Sequence, residues 1–304
     1  MKFIELGDTG EKVPVIGMGT WKLGSRPEED ERALKRGIGL GMTLIDTAQM
    51  YHTEELVGGA ISGEGSVLVA TKVSPHNFRY GDVIKACNSS LGKLRVKSID
   101  LYQLHWPNAG IPITETMKAM EKLVEDGKIR HIGVSNFSVD ELIEAQDALK
   151  SERIVSNQVE YSPYVRYVEE TVVPFCRSEK VTVIAYSPLA RAAALLDGKS
   201  DVTAALEKVA GRHGRSRAQI ALAWLISKGN LVAIPKAASI AHVEENAAAA
   251  GIRLSAQDIA SIDAARDSSV VPVASKLNKF TKKTASFWSS LMDRRERLRK
   301  EHGV

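Results

Sequence analysis

The sequence predicts an α/β protein, a (β/α)8 TIM barrel with an N-terminal β-hairpin and a C-terminal helical tail. Short β-branched runs alternate with amphipathic stretches along most of the 304 residues, the rhythm of a parallel sheet built from strand–helix units. Runs such as VLVATKV and VTVIAYS are almost wholly apolar, as strands buried on both faces must be. Eight such runs fall within a length close to the ~250 residues of a typical barrel. A doubly wound sheet is the alternative. It opens with a Gly-rich turn, and Gly17-Met18-Gly19 lacks the third glycine at the required spacing.

The opening KFIELGDTGEKVPVIG reads as two short strands around Gly7-Asp8-Thr9-Gly10, a hairpin that would plug the bottom of a barrel. Strands follow at 13–20, 43–47, 67–73, 99–105, 129–135, 155–160, 181–187 and 231–235. Helical periodicity occupies 28–40, 82–93, 114–126, 139–149, 168–179 and 217–226. No interior linker interrupts the pattern, so residues 1–304 are expected to form one barrel domain, with 266–304 a loop and basic tail upon it. In that tail Phe287, Trp288, Leu291, Met292 and Leu298 share one helical stripe, suited to docking on the barrel exterior.

The net charge of +4 suggests nucleic acid, but its distribution does not. Residues 275–304 hold nine basic side chains against three acidic ones, which leaves the rest of the chain slightly acidic. No nucleic-acid partner is expected, and no run of ~18 uncharged apolar residues suits a membrane span. Cys87 and Cys176 form no C-x-x-C motif and read as reduced, buried thiols of a cytoplasmic protein. The seven histidines form no H-x-x-x-H or Cys/His cluster, so no metal is expected. Monomer and small oligomer both remain open.

Four residue types at strand ends carry the chemistry. Asp46 ends one strand, Tyr51 follows in its loop, Lys72 lies late in the next strand, and His105 ends the one after. In a parallel barrel these ends converge on the face that holds active sites. A lysine buried there needs a counter-ion, and Asp46 is the natural one. The ammonium is expected to lower the Tyr51 pKa from about 10, which suits a phenol that protonates a developing alkoxide. A neutral His105 can donate to a carbonyl oxygen and aim it.

These residues carry a family resemblance. GMTLIDTAQMYHTEELVGGAI, VLVATKV, DLYQLHWP, GVSNFS, NQVEYSP, AYSPLA and IPKAAS resemble, in order, segments of the aldo-keto reductase family. The resemblance implies reduction of aldehydes or ketones to alcohols by NADP(H), without metal. Tyr51 would be the general acid, Asp46 and Lys72 would tune it, and His105 would orient the carbonyl. Ser135, Asn136 and Gln158 would hold the nicotinamide carboxamide and Tyr186 would stack on the ring. Gly19, Thr20 and Trp21 would line the meeting of cofactor and substrate, with Asp46 also at the cofactor. Trp21, Tyr51, His105 and Trp106 would form the substrate pocket. Ser187, Leu189 and Arg191 would touch the pyrophosphate, and Lys236, Ser239, His242, Glu245 and Asn246 the adenosine end. Ala237 replaces the usual serine and His242 the usual arginine, whose fork grips a 2′-phosphate, so NAD(H) is admitted beside NADP(H). Residues 270–280 are expected to cross the pocket mouth. The alternative is a catalytically weak, cofactor-binding regulatory module on the same fold.

Overall fold

Apolar strands too short to bury themselves settle here into a ring. In a computed structural model, which describes residues 1–65, 67–190 and 200–266, β1 (Phe3–Glu5) and β2 (Lys12–Pro14) pair antiparallel as the expected hairpin. Eight parallel strands follow: β3 (Met18–Gly19), β4 (Leu44–Asp46), β5 (Leu68–Val73), β6 (Ile99–Leu104), β7 (Ile129–Ser135), β8 (Ile154–Glu160), β9 (Thr182–Tyr186) and β10 (Leu231–Ala233). Each pairs with the next in sequence. The ring closes where Gly17 N–H donates to Ala233 O at 2.9 Å and Ala233 N–H donates to Val15 O at 2.9 Å. The fold is the expected (β/α)8 barrel.

The run 13–20 divides into two strands. Val15 is the pivot: its N–H donates back to Lys2 O in the hairpin at 3.0 Å, while its carbonyl serves the barrel. Pro14, which has no N–H to give, sits at the break. The hairpin plugs the bottom. Leu6 and Val13 share one buried cluster with Leu44, Leu68, Leu101, Val155, Ile184 and Val232 from the strands above. Gly7 makes the turn at φ +59°, and a Cβ there would lie 2.9 Å from that of Val155.

Around the ring lie α1 (Pro27–Gly39), α2 (Glu54–Ile61), α3 (Tyr80–Leu94), α4 (Ile113–Glu125), α5 (Val139–Asp147), α6 (Val172–Ser178), α7 (Asp201–His213), α8 (Arg217–Ser227), α9 (Ile240–Ala249) and α10 (Ala256–Ala264). Serines start many of them: Ser138, Ser216 and Ser255 each close a capping box with the residue three further on. The helix expected at 168–179 is shorter. Pro174 would clash with the carbonyl of Glu170 if the helix ran further back, so a 3-10 turn at Tyr167–Glu169 precedes α6. Among the described residues no helix is long and apolar enough to cross a membrane. The tail from residue 267, including the expected 270–280 crossing and the amphipathic stripe, lies outside the described residues.

Candidate active site

The strand ends bring the four residues together. Asp46 is the last residue of β4 and Lys72 the penultimate residue of β5. His105 directly follows β6, and Tyr51 closes a 3-10 turn, Gln49–Tyr51, on the loop after β4. Lys72 is fully buried, its Nζ 2.6 Å from Asp46 Oδ1 and donating to Thr47 O at 2.8 Å. The same ammonium lies 4.9 Å from the centre of the Tyr51 ring. The Tyr51 hydroxyl lies 3.4 Å from His105 Nε2, the two rings meeting edge-on at 5.3 Å.

Burial alone would lower the pKa of Lys72. Asp46, with Tyr51, more than offsets it, and the pKa of the lysine is raised, so Lys72 keeps its charge at neutral pH. His105 responds oppositely. Burial and the nearby Lys72 charge push it down to about 3, which leaves a neutral imidazole. The expected lowering of Tyr51 is corrected: burial raises its pKa more than Lys72 lowers it, and Asp46 adds to the rise. The phenol therefore stays protonated well into the alkaline range. That is the form an acid needs.

Beside this group lies a shelf of amides. Gln158 donates from Nε2 to Asp46 Oδ2 at 2.7 Å and to Gln103 Oε1 at 3.3 Å, while its own Oε1 takes part in neither bond. Asn136, in the left-handed region at φ 64°, donates to His105 O at 3.2 Å and to Ser135 Oγ at 3.0 Å. Tyr186 donates its hydroxyl to Asn136 Oδ1 at 2.9 Å, and Ser135 donates to Gln158 O at 3.0 Å. Ser187 is also left-handed, at φ 48°. Strained non-glycine positions on these loops fit a surface shaped for a ligand.

The remaining positions differ in how free they are. Gly19 and buried Thr20 follow the seam, and the Thr20 hydroxyl is occupied by Asp46 O and Thr53 Oγ1. Trp21 is exposed and Trp106 half-buried. Leu189 is half-buried, and Arg191 lies outside the described residues. Ser239 caps α9 by accepting from His242 N–H at 3.4 Å. His242 is exposed, with Nδ1 3.3 Å from Glu245 Oε2, and Ser216 donates to the other oxygen of Glu245. Asn246 is buried, whereas Lys236 is exposed and forms no ion pair among the described residues. Gln103, the Thr47 carbonyl and Thr53 had escaped sequence reasoning. Alternation along β6 places Gln103 on the face shared by Leu101 and His105, and that period was the available signal.

The donor set fits a nicotinamide cofactor at both ends: among the described residues, Gln158 Oε1 beside the Tyr51 phenol is engaged in no hydrogen bond and the exposed Lys236, ahead of α9, forms no ion pair. A parallel barrel whose strand ends carry a buried ion pair, a protonated phenol and a neutral imidazole defines an oxidoreductase of carbonyl compounds. The pattern of the Aldo/keto reductase family matches residues 15–267, and the chain belongs to that family. It is similar to methylglyoxal reductase YeaE of Escherichia coli (strain K12), 41% identical over 260 residues that cover 83% of this chain and 91% of that one. A thermostable aldo-keto reductase crystallised with the inhibitor epalrestat is 42% identical with a TM-score of 0.82, over 86% of this chain and 99% of that one. An aldo/keto reductase from Klebsiella pneumoniae in complex with NADP and acetate is 40% identical with a TM-score of 0.78, over 86% and 94%.

Proposed function

We propose that this chain reduces small activated aldehydes of the 2-oxoaldehyde class, methylglyoxal among them, to alcohols with NADP(H), and that Tyr51 is the proton donor. The observation that carries this is the Tyr51 phenol and His105 imidazole set 3.4 Å apart over the buried Lys72–Asp46 pair. The relative named for methylglyoxal supports the substrate class, and the Klebsiella complex supports the cofactor.

NADPH, when bound, supplies the hydride. The protein does the rest. Gln158 offers Oε1 to the carboxamide, Asn136 and Ser135 flank it, and Tyr186 gives a flat face to the ring. Gly19, Thr20 and Trp21 line the junction with substrate, while Ser187, Leu189 and Arg191 serve the pyrophosphate. Lys236, Ser239, His242, Glu245 and Asn246 receive the adenosine end, Lys236 as a point charge for the 2′-phosphate. His105, neutral, donates to the substrate oxygen and aims it at the Tyr51 hydroxyl. Tyr51 gives its proton to that oxygen as the alkoxide develops, and the Lys72 ammonium steadies the phenolate left behind. Trp21 and Trp106 wall the pocket. Buried Cys87 and Cys176, in no disulfide, support a cytoplasmic setting.

The test is Tyr51→Phe, assayed with NADPH and methylglyoxal. Turnover should fall by about 10²–10⁴-fold, the worth of a positioned acid, while cofactor still binds. Undiminished turnover would remove Tyr51 as the proton donor, and a wild-type protein without turnover would leave the cofactor-binding regulatory module as the better reading.

A further inference from the structure

We infer that Gln103 is a positioning residue that locks the amide of Gln158 in one orientation and so makes the cofactor site selective for a carboxamide. The inference rests on the reading above, in which Gln158 meets the nicotinamide carboxamide and Tyr51 gives the proton.

The argument begins at Asp46. Its carboxylate only accepts hydrogen bonds. Oδ1 is taken by the Lys72 ammonium, so Oδ2 faces the two glutamines, Gln103 at 3.3 Å and Gln158 at 2.7 Å. Both must turn an NH2 towards it. Once Gln103 has done so, its Oε1 is left as an acceptor, and that atom lies 3.3 Å from Gln158 Nε2. The NH2 of Gln158 therefore finds two acceptors, and its oxygen is held away from both. A flipped Gln158 would set its oxygen against Asp46 Oδ2 and Gln103 Oε1, three acceptors without a proton between them, in a buried site where such a conflict is costly. Asp46 alone would favour the same orientation. Gln103 adds the second bond and the second repulsion.

The barrel has made room for this side chain. Gln103 lies in register between Lys72 on β5 and Gly133 on β7. A Cβ on Gly133 would come within 2.9 Å of Gln103 Cγ and 2.5 Å of Ser156 Oγ. Only a glycine at that register position lets a glutamine lie across the barrel interior, where it is fully buried and reaches both Asp46 and Gln158. An apolar residue would fill the same layer more cheaply. Its polarity is explained by what it holds.

The test compares binding of NADP+ with that of its 3-acetylpyridine analogue, in which a methyl group replaces the carboxamide NH2, by quenching of intrinsic tryptophan fluorescence. The wild-type protein should prefer NADP+ by roughly 5–10-fold, the worth of one hydrogen bond to a committed acceptor. Gln103→Leu and Gln103→Met should each reduce that preference by about half, because Asp46 then holds Gln158 without the second bond and the second repulsion. Gln103→Glu, measured at pH 6 with its carboxyl kept protonated beside Asp46, retains one donor and one acceptor and should keep the preference. Full preference in the Leu and Met variants would overturn the inference alone. Equal loss in all three, with equal falls in melting temperature, would also overturn it, since the side chain would then merely fill space. A wild-type protein without any preference would overturn the Gln158 contact and the inference with it. Tyr51→Phe should lose turnover yet keep the preference, which separates the proton donor from the amide shelf.

Discussion

Lys72 shows how far a single side chain could be read in advance. Its place late in an apolar strand demanded a counter-ion, and Asp46 is there at 2.6 Å. Breaking a buried pair leaves an uncompensated charge, so Lys72→Met should cost about 3–5 kcal/mol in denaturant unfolding and abolish most turnover. The direction of the Tyr51 shift was not legible, because it depends on how completely the assembled site buries the phenol. Gln103 was missed for a related reason: its meaning lies in two partners on other strands. His105 yields a pH prediction. Burial and Lys72 push it down to about 3, so it is neutral throughout the range of ordinary assays. The pH profile of reduction should show no acidic limb near the ordinary histidine value of about 6.5. A limb there that vanished in His105→Gln would mean that the imidazole titrates in the working enzyme.

At the scale of elements, spacing placed the strands well and their ends less well. Strand ends depend on which partner continues the ladder, as the division at Pro14 shows. The segment from β10 into α9 carries the departures at Ala237 and His242, and the exposed imidazole turns to Glu245 rather than outward as a fork. His242→Arg should tighten NADPH selectively by about 1–2 kcal/mol, and Lys236→Ala should weaken NADPH more than NADH. Titrations with the two cofactors measure both. Nearby, α7 and α10 are joined at Asp258, which receives Arg212, His213 and the capping Ser255. Burial pushes Asp258 up, but those bonds together hold it well below the usual carboxylate range. A depressed carboxylate stabilises the fold above its unfolded pKa and loses that contribution as pH falls. Ser255→Ala should cost about 0.5–2 kcal/mol at pH 7, and the deficit should narrow in strongly acid solution, as read from melting curves.

For the molecule as a whole, the barrel was legible because both its rhythm and its opening hairpin are local patterns, whereas its closure is not. The plug is a stability element. Leu6→Ala should cost about 2–5 kcal/mol in denaturant unfolding, as core truncations do, without altering the cofactor preference at the opposite end. Closure itself has a kinetic meaning. Seven of the eight contacts around the ring join neighbours in sequence, but the eighth joins Val15 and Gly17 to Ala233. A chain emerging from the ribosome can lay down its first seven strands in turn, yet the outer edges stay open until residue 233 has arrived. Bringing such distant segments together costs the most chain entropy of any step in the ring. In pulse-labelled refolding, the amides of Gly17 and Ala233 should gain protection after those of β5 to β8, and the two free edges should be the aggregation-prone surface of the unfinished protein.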